Sequence, residues 1–115
     1  MRETIFKDLK VVELAGVLAG PAVGMFFSEL GATVIKIENK KAGGDMTRSW
    51  KLPSENNESD ISAYFSSVNY KKSYIDKDLK DPVQREEVIS IIKDCDILIT
   101  NFKKGSDIKL GMDYQ

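Results

Sequence analysis

An α/β fold, an open parallel sheet with flanking helices, is what the sequence predicts, as a single unit over residues 1–115. Two patterns predict it. Short runs rich in β-branched residues alternate with stretches of helical spacing, and the first such stretch, about ten residues long, suffices for the crossover that a parallel pair requires.

The first strand is read over Lys10-Val11-Val12-Glu13-Leu14, which a Gly/Ala loop follows. Gly20-Pro21 then opens a helix whose apolar residues Val23, Phe26, Phe27 and Leu30 fall at i, i+3, i+4 and i+7, with Gly31 closing it. Thr33-Val34-Ile35-Lys36-Ile37 is the second strand, completing a βαβ unit. From Asn39 to Ser59 the chain is polar and aperiodic, and a long surface loop is expected.

Asp60 to Val68 is read as a short helix burying Ile61, Tyr64, Phe65 and Val68, capped by Ser59 or Asp60. Ser73-Tyr74-Ile75 is a third strand. Asp81-Pro82 starts a further helix with Val88, Ile91, Ile92 and Cys95 as its buried stripe. Asp96-Ile97-Leu98-Ile99-Thr100 is a fourth strand, and Ser106 to Leu110 a helical turn ended by Gly111. The alternation is that of a Rossmann-like doubly wound sheet, although three or so helices leave such a sheet incompletely covered.

Composition narrows the chemistry. Seventeen basic against eighteen acidic residues, a net charge of -1, give no overall field for a nucleic-acid backbone or an anionic membrane, so neither partner is expected. The apolar stretch Val11 to Phe27 is broken by Glu13 and Pro21 and is not read as a membrane span or leader. Without histidine there is no Ser-His or Cys-His pair and no His-based metal site, and no metal is expected. Cys95, the single cysteine, fits a reducing cytoplasm, and Asp94 and Asp96 beside it are expected to raise its pKa.

Ligands of open parallel sheets gather beyond the carboxyl ends of the strands. Ala15 to Gly20 offers small residues and backbone N–H groups at a helix start, suited to phosphate oxygens, but glycines 16, 20 and 24 do not form GxGxxG. Glu38, ending the second strand, is where dinucleotide-binding folds hold ribose hydroxyls, and it keeps an NAD-binding reading open as an alternative. Lysines cluster at Lys40-Lys41, Lys71-Lys72 and Lys103-Lys104 with Lys109. Such runs are ordinarily solvated faces, but three near one sheet edge can neutralise a polyphosphate.

The segments VVELAGVLAGP, LGATVIKIE, GGDMTRSW, YFSSVNYKKS, DLKDP, DILITNF and LGMDY occur in the order and approximate spacing of the family III CoA-transferases, which the chain resembles over nearly its whole length. The resemblance implies a Rossmann-like CoA-binding domain of which this chain is the N-terminal part, incomplete relative to the family's interlocked homodimer. It also implies CoA transfer between an acyl-CoA and a carboxylic acid through an aspartyl carboxylate, with coenzyme A as substrate and no permanently bound cofactor. That aspartate is expected beyond residue 115. None of Asp45, Asp60, Asp76, Asp78, Asp81, Asp94, Asp96, Asp107 or Asp113 matches its position, and cap or loop roles are expected for them.

Carried over residue by residue, the resemblance places the backbone of Gly16, Val17, Leu18 and Ala19 along the pantetheine and pyrophosphate path. Gly16 stands where members often have arginine or histidine. Asn39 occupies a position that is commonly arginine, which leaves Lys40 or Lys41 for the phosphates. Lys72 matches a basic position, Asn101 and Phe102 match a pair bordering the adenosine, and Lys109 replaces a common arginine, retaining charge without bidentate geometry. A free-standing CoA- or nucleotide-binding module, and a purely structural domain, are the other readings.

Overall fold

The computed structural model of the chain describes residues 4–113. Its strands are β1 (Lys10–Leu14), β2 (Thr33–Glu38), β3 (Ser73–Asp76) and β4 (Ile97–Thr100), and its helices α1 (Ala19–Glu29), α2 (Ala63–Asn69), α3 (Pro82–Lys93) and α4 (Ser106–Lys109). All strand pairs are parallel, and the order across the sheet is β3-β2-β1-β4. This is the expected α/β architecture, with β1 and β2 in the centre.

Alternation along the strands sends successive side chains to opposite faces and so divides the core in two. On one face Val11, Ala15, Val34 and Ile99 pack with Phe27 of α1. On the other, Val12, Leu14 and Ile37 meet Val88, with Ile91, Ile92 and Cys95 of the α3 region against them, as the periodicity predicts. Asp81 caps α3 by accepting from Val83 N–H at 2.9 Å, ahead of Pro82 in the first turn.

Three local expectations are corrected. The buried residues of α1 are Gly20, Pro21, Gly24 and Ser28, and of the predicted apolar stripe Phe27 packs on the sheet while Val23 and Phe26 are exposed. Phe26 instead stacks beside Phe6 and Phe27, at centroid distances of 6.1 and 5.4 Å. The physical reason lies underneath: Glu13 and Lys36, in register on β1 and β2, are fully buried below this helix, and only small residues let its backbone approach them.

The polar stretch 39–59 is not a plain surface loop. It contains 3-10 turns at Lys40–Ala42 and Met46–Ser49, and it buries Asp45 and Thr47. Arg48 ties it to the sheet through a two-point pair with Glu38 and lies 3.9 Å from the centre of the Phe65 ring. Helix α2 begins later than expected because Ser62, not Ser59 or Asp60, accepts from Phe65 N–H at 2.9 Å, and Ile61 is left exposed.

Candidate functional site

The carboxyl ends of β1, β2 and β4 border a crevice of about 260 Å³ whose lining includes Gly16, Asn39, Asp45, Asn101 and Phe102. Gly44 connects it to a larger recess of about 560 Å³ lined by Lys40, Arg48, Ser49 and Lys51. The crevice lies where an open parallel sheet exposes strand-end backbone to a ligand, and the recess is formed by residues of the 40–60 stretch.

The loop between β1 and α1 forms one wall of the crevice and is held at three successive residues. Ala15 C=O accepts from Lys36 Nζ at 2.7 Å. Gly16 exchanges hydrogen bonds with Asn101, its N–H donating to Oδ1 at 3.2 Å and its C=O accepting from Nδ2 at 2.7 Å. Val17 N–H donates to both carboxylate oxygens of Asp45 at 3.3 Å. Val17 also has φ +69°, and a β-branched residue in that region carries strain of about 1–3 kcal/mol. No side chain caps the helix that follows.

Behind this loop lies a fully buried charge network. Lys36 Nζ pairs with Glu13 at 2.8 Å and with Asp45 at 3.0 Å, and Lys72 Nζ pairs with the other oxygen of Glu13 at 2.7 Å. Lys72 Nζ donates further to Pro21 C=O and to Asn69 Oδ1, at 2.8 and 2.9 Å. Among the described residues no buried side-chain nitrogen or oxygen lacks a partner, which makes so many buried charges tolerable.

Burial works against charge on these groups, and partners decide the outcome. For Asp45, burial raises the pKa, but hydrogen bonds from the Thr47 N–H and hydroxyl and from Lys36 outweigh it and leave the pKa below the ordinary aspartate value. For Glu38, burial is likewise outweighed, by Arg48 and the Asp45 N–H, with the same net direction. Lys72 goes the other way for a base: burial pulls its pKa down despite Glu13. Cys95 is raised mainly by burial, with Asp96 adding to it.

Two depressed carboxylates have a linkage consequence. Their stabilisation is fully present above the ordinary carboxylate range and is lost as pH falls through the depressed folded values. The melting temperature should therefore stay level from neutral pH down to about pH 5 and then drop. Glu38→Gln should flatten that acid limb, and a melt series in which it leaves the limb unchanged would remove Glu38 from the account.

The residues singled out from sequence separate into two groups. Gly16, Asn39, Asn101 and Phe102 share the crevice, with Asn39 also closing the first 3-10 turn by accepting from Ala42 N–H at 3.4 Å. Val17 adjoins it through Asp45, and Leu18 and Ala19 follow as exposed residues at the start of α1. Lys109 is exposed on α4 and is not part of the crevice lining.

Lys72 is a correction. Lys71 and Lys72 precede β3, at the opposite edge from the strand ends, and the Lys72 ammonium is spent on three buried acceptors, leaving no N–H for a phosphate. Asp45 also exceeds the cap role expected of it. It does cap the second 3-10 turn, accepting from Thr47 N–H at 3.0 Å, but it also pairs with Lys36 and holds Val17. Glu13, Lys36 and Arg48 were not singled out as functional. For Glu13 and Lys36 the signal is a charge in each of two central strands, which a sheet covered on both faces admits only as partners, whereas Arg48 lies in the aperiodic 39–59 stretch and carries no such signal.

Comparison with known proteins decides the family. The family model described as CoA-transferase family III matches residues 6–115. The chain belongs to CoA-transferase family III. A succinate–glutarate CoA-transferase of Agrobacterium fabrum is 39% identical to this family III chain over 117 residues, covering 99% of the chain and 29% of that protein. A succinyl-CoA:mesaconate CoA-transferase of Haloarcula hispanica is 37% identical, covering 94% of the chain and 27% of its own length.

The crystal structure of a CAIB/BAIF family protein from Brucella suis superposes with a TM-score of 0.83 at 40% identity, over 96% of the chain and 29% of that structure. This family III chain thus spans well under a third of the length of those relatives. The closing tyrosine of its LGMDY segment, Tyr114, lies outside the described residues. Among those residues no helix is long and apolar enough to cross a membrane.

Proposed function

We propose that this chain supplies part of the acyl-CoA site of an enzyme that transfers coenzyme A from an acyl-CoA to a carboxylic acid, with dicarboxylates of the succinate and glutarate type as the acid class. The family match across residues 6–115 carries the reading. Its support from geometry is the strand-end crevice, in which Asn101 fixes Gly16 and Phe102 offers an aromatic wall. Exposed Lys40, Lys41, Lys103 and Lys104 follow β2 and β4 and are the phosphate partners. The rival dinucleotide reading is disfavoured because both oxygens of Glu38 are already occupied, by Arg48 and by the Asp45 N–H.

In the same reading an aspartate outside residues 1–115 is the nucleophile. Its carboxylate oxygen attacks the thioester carbonyl carbon and expels the CoA thiolate, giving a mixed anhydride. The thiolate then attacks the aspartyl carbonyl and releases the acyl group as a carboxylate, leaving an aspartyl thioester on which the acceptor acid reacts in the reverse sense. The working enzyme is a cytoplasmic homodimer. Asp45, at the crevice, is unsuited to the nucleophile's task, since Lys36, Thr47 and Val17 saturate its carboxylate.

A calorimetric titration and a turnover assay on the purified 115-residue chain test this. Coenzyme A is expected to bind more tightly than its 3'-dephospho form, with affinity falling as salt rises, and the chain is expected to show no turnover of succinyl-CoA with glutarate. Tighter binding of NAD than of coenzyme A would overturn the reading, and measurable turnover would overturn the placement of the nucleophile.

A further inference from the structure

The β1–α1 loop combines a strained backbone residue with a buried acceptor for its N–H. Val17 adopts φ +69°, a region that excludes most β-branched residues, and its N–H is aimed at a buried carboxylate that has come from 28 positions away. Asp45 cannot swing aside to release it. Its Oδ1 is engaged by Thr47 N–H and Oγ1 at 3.0 and 2.8 Å, and its Oδ2 by Lys36 Nζ at 3.0 Å. Lys36 in turn grips Ala15 C=O, two residues before Val17. Asn101 serves Gly16 between them.

We infer that Asp45 is a positioning residue, which with Lys36 holds Val17 at positive φ and so presents the backbone of the β1–α1 loop to the crevice. The device works by distributing the tasks. Lys36 fixes the loop's entry at Ala15 and orients the Asp45 carboxylate, and the carboxylate accepts the Val17 N–H in the strained conformation. A neutral or shorter side chain at 45 leaves the strain of Val17 uncompensated, and the loop relaxes toward negative φ. Glycine at 17 needs no such restraint, because it adopts φ +69° without a Cβ clash. The consequence for ligand binding rests on the acyl-CoA reading above, whereas the conformational claim does not.

The test is a cycle of four chains: wild type, Asp45→Asn, Val17→Gly and the double variant, with Asp45→Ala added to grade the effect. Backbone NMR shifts of residues 16–19 report the sign of φ, and titration with coenzyme A reports the functional consequence. Asp45→Asn should move the residue 16–19 signals toward negative-φ values and weaken coenzyme A binding by about 10-fold, Asp45→Ala by more. In the Val17→Gly background the same substitution should produce little of either change.

A merely structural Asp45 would give equal losses in both backgrounds, and that result would overturn the inference. So would unmoved loop signals in Asp45→Asn. Should Asp45→Ala fail to fold, the asparagine pair still decides. If the wild-type chain binds no coenzyme A while the shifts follow the expected pattern, the acyl-CoA reading fails and the positioning role stands.

Discussion

Replacing Glu13 with glutamine should lower the melting temperature by on the order of 10–20 °C, the equivalent of about 3–5 kcal/mol for a buried ion pair that loses one partner. Glu13 is fully buried on β1 and bridges two ammonium groups, Lys36 and Lys72, at 2.8 and 2.7 Å. Lys36 keeps Asp45 after the change, at 3.0 Å. Lys72 keeps only the uncharged acceptors Pro21 C=O and Asn69 Oδ1, so its charge is the one left without compensation.

That asymmetry gives the prediction a pH signature. Burial already pulls the Lys72 pKa below its ordinary value. A base whose folded pKa is depressed binds fewer protons in the folded state, so stability is gained as pH rises through that folded value. The deficit of Glu13→Gln relative to wild type should therefore shrink toward alkaline pH. Adding Lys72→Met should recover part of it at neutral pH, because an apolar side chain of similar length does not require a counter-charge. A deficit that neither pH nor Lys72→Met reduces would mean that Glu13 stabilises the chain by other means.

How much of this could be read from the sequence depended on whether the deciding interaction was local. The strands, the Asp81-Pro82 helix start and the buried stripe of α3 are patterns within a dozen residues, and each appears where it was expected. Gly16, Asn39, Asn101 and Phe102 line one crevice because each stands within two residues of a strand's carboxyl end, a position that the local strand pattern already gives. What escaped was set by pairings across the sheet.

Lys72 reads as a surface lysine from its neighbour Lys71 and becomes a buried one only because Glu13, 59 positions earlier, needs a second cation. Asp45 reads as a loop cap, and its partner Lys36 reads as one charge in an apolar strand. Their contact depends on how the long loop folds back, which no period encodes. The apolar spacing of Val23, Phe26, Phe27 and Leu30 is a true helix signal, but it does not say which face meets the sheet. The small-residue row Gly20, Gly24 and Ser28 wins that face because the helix backbone comes close there, to Ala15 at Gly20 and to the Glu13–Lys72 pair at Gly24.

That row yields the second large effect. Gly24→Ala would ordinarily favour a helix interior by about 1 kcal/mol. Here it should instead destabilise the chain by a net of about 1–3 kcal/mol, measured by chemical denaturation, because a Cβ at Gly24 would stand 2.0 Å from Glu13 Oε1 and 3.1 Å from Lys72 Nζ. The carboxylate cannot yield as a free side-chain end would, since both its oxygens are held by lysines. Either the helix lifts from the sheet, exposing the network to water, or the Glu13–Lys72 pair stretches, and both routes lose stability.

Shortening the side chain below should reveal which contact is responsible. If the clash is with the Glu13 carboxylate, Glu13→Asp in the same chain withdraws that group by one methylene, and the double variant should be more stable than the sum of the two single losses allows. Strict additivity would place the strain of Gly24→Ala somewhere other than the contact between α1 and the buried carboxylate.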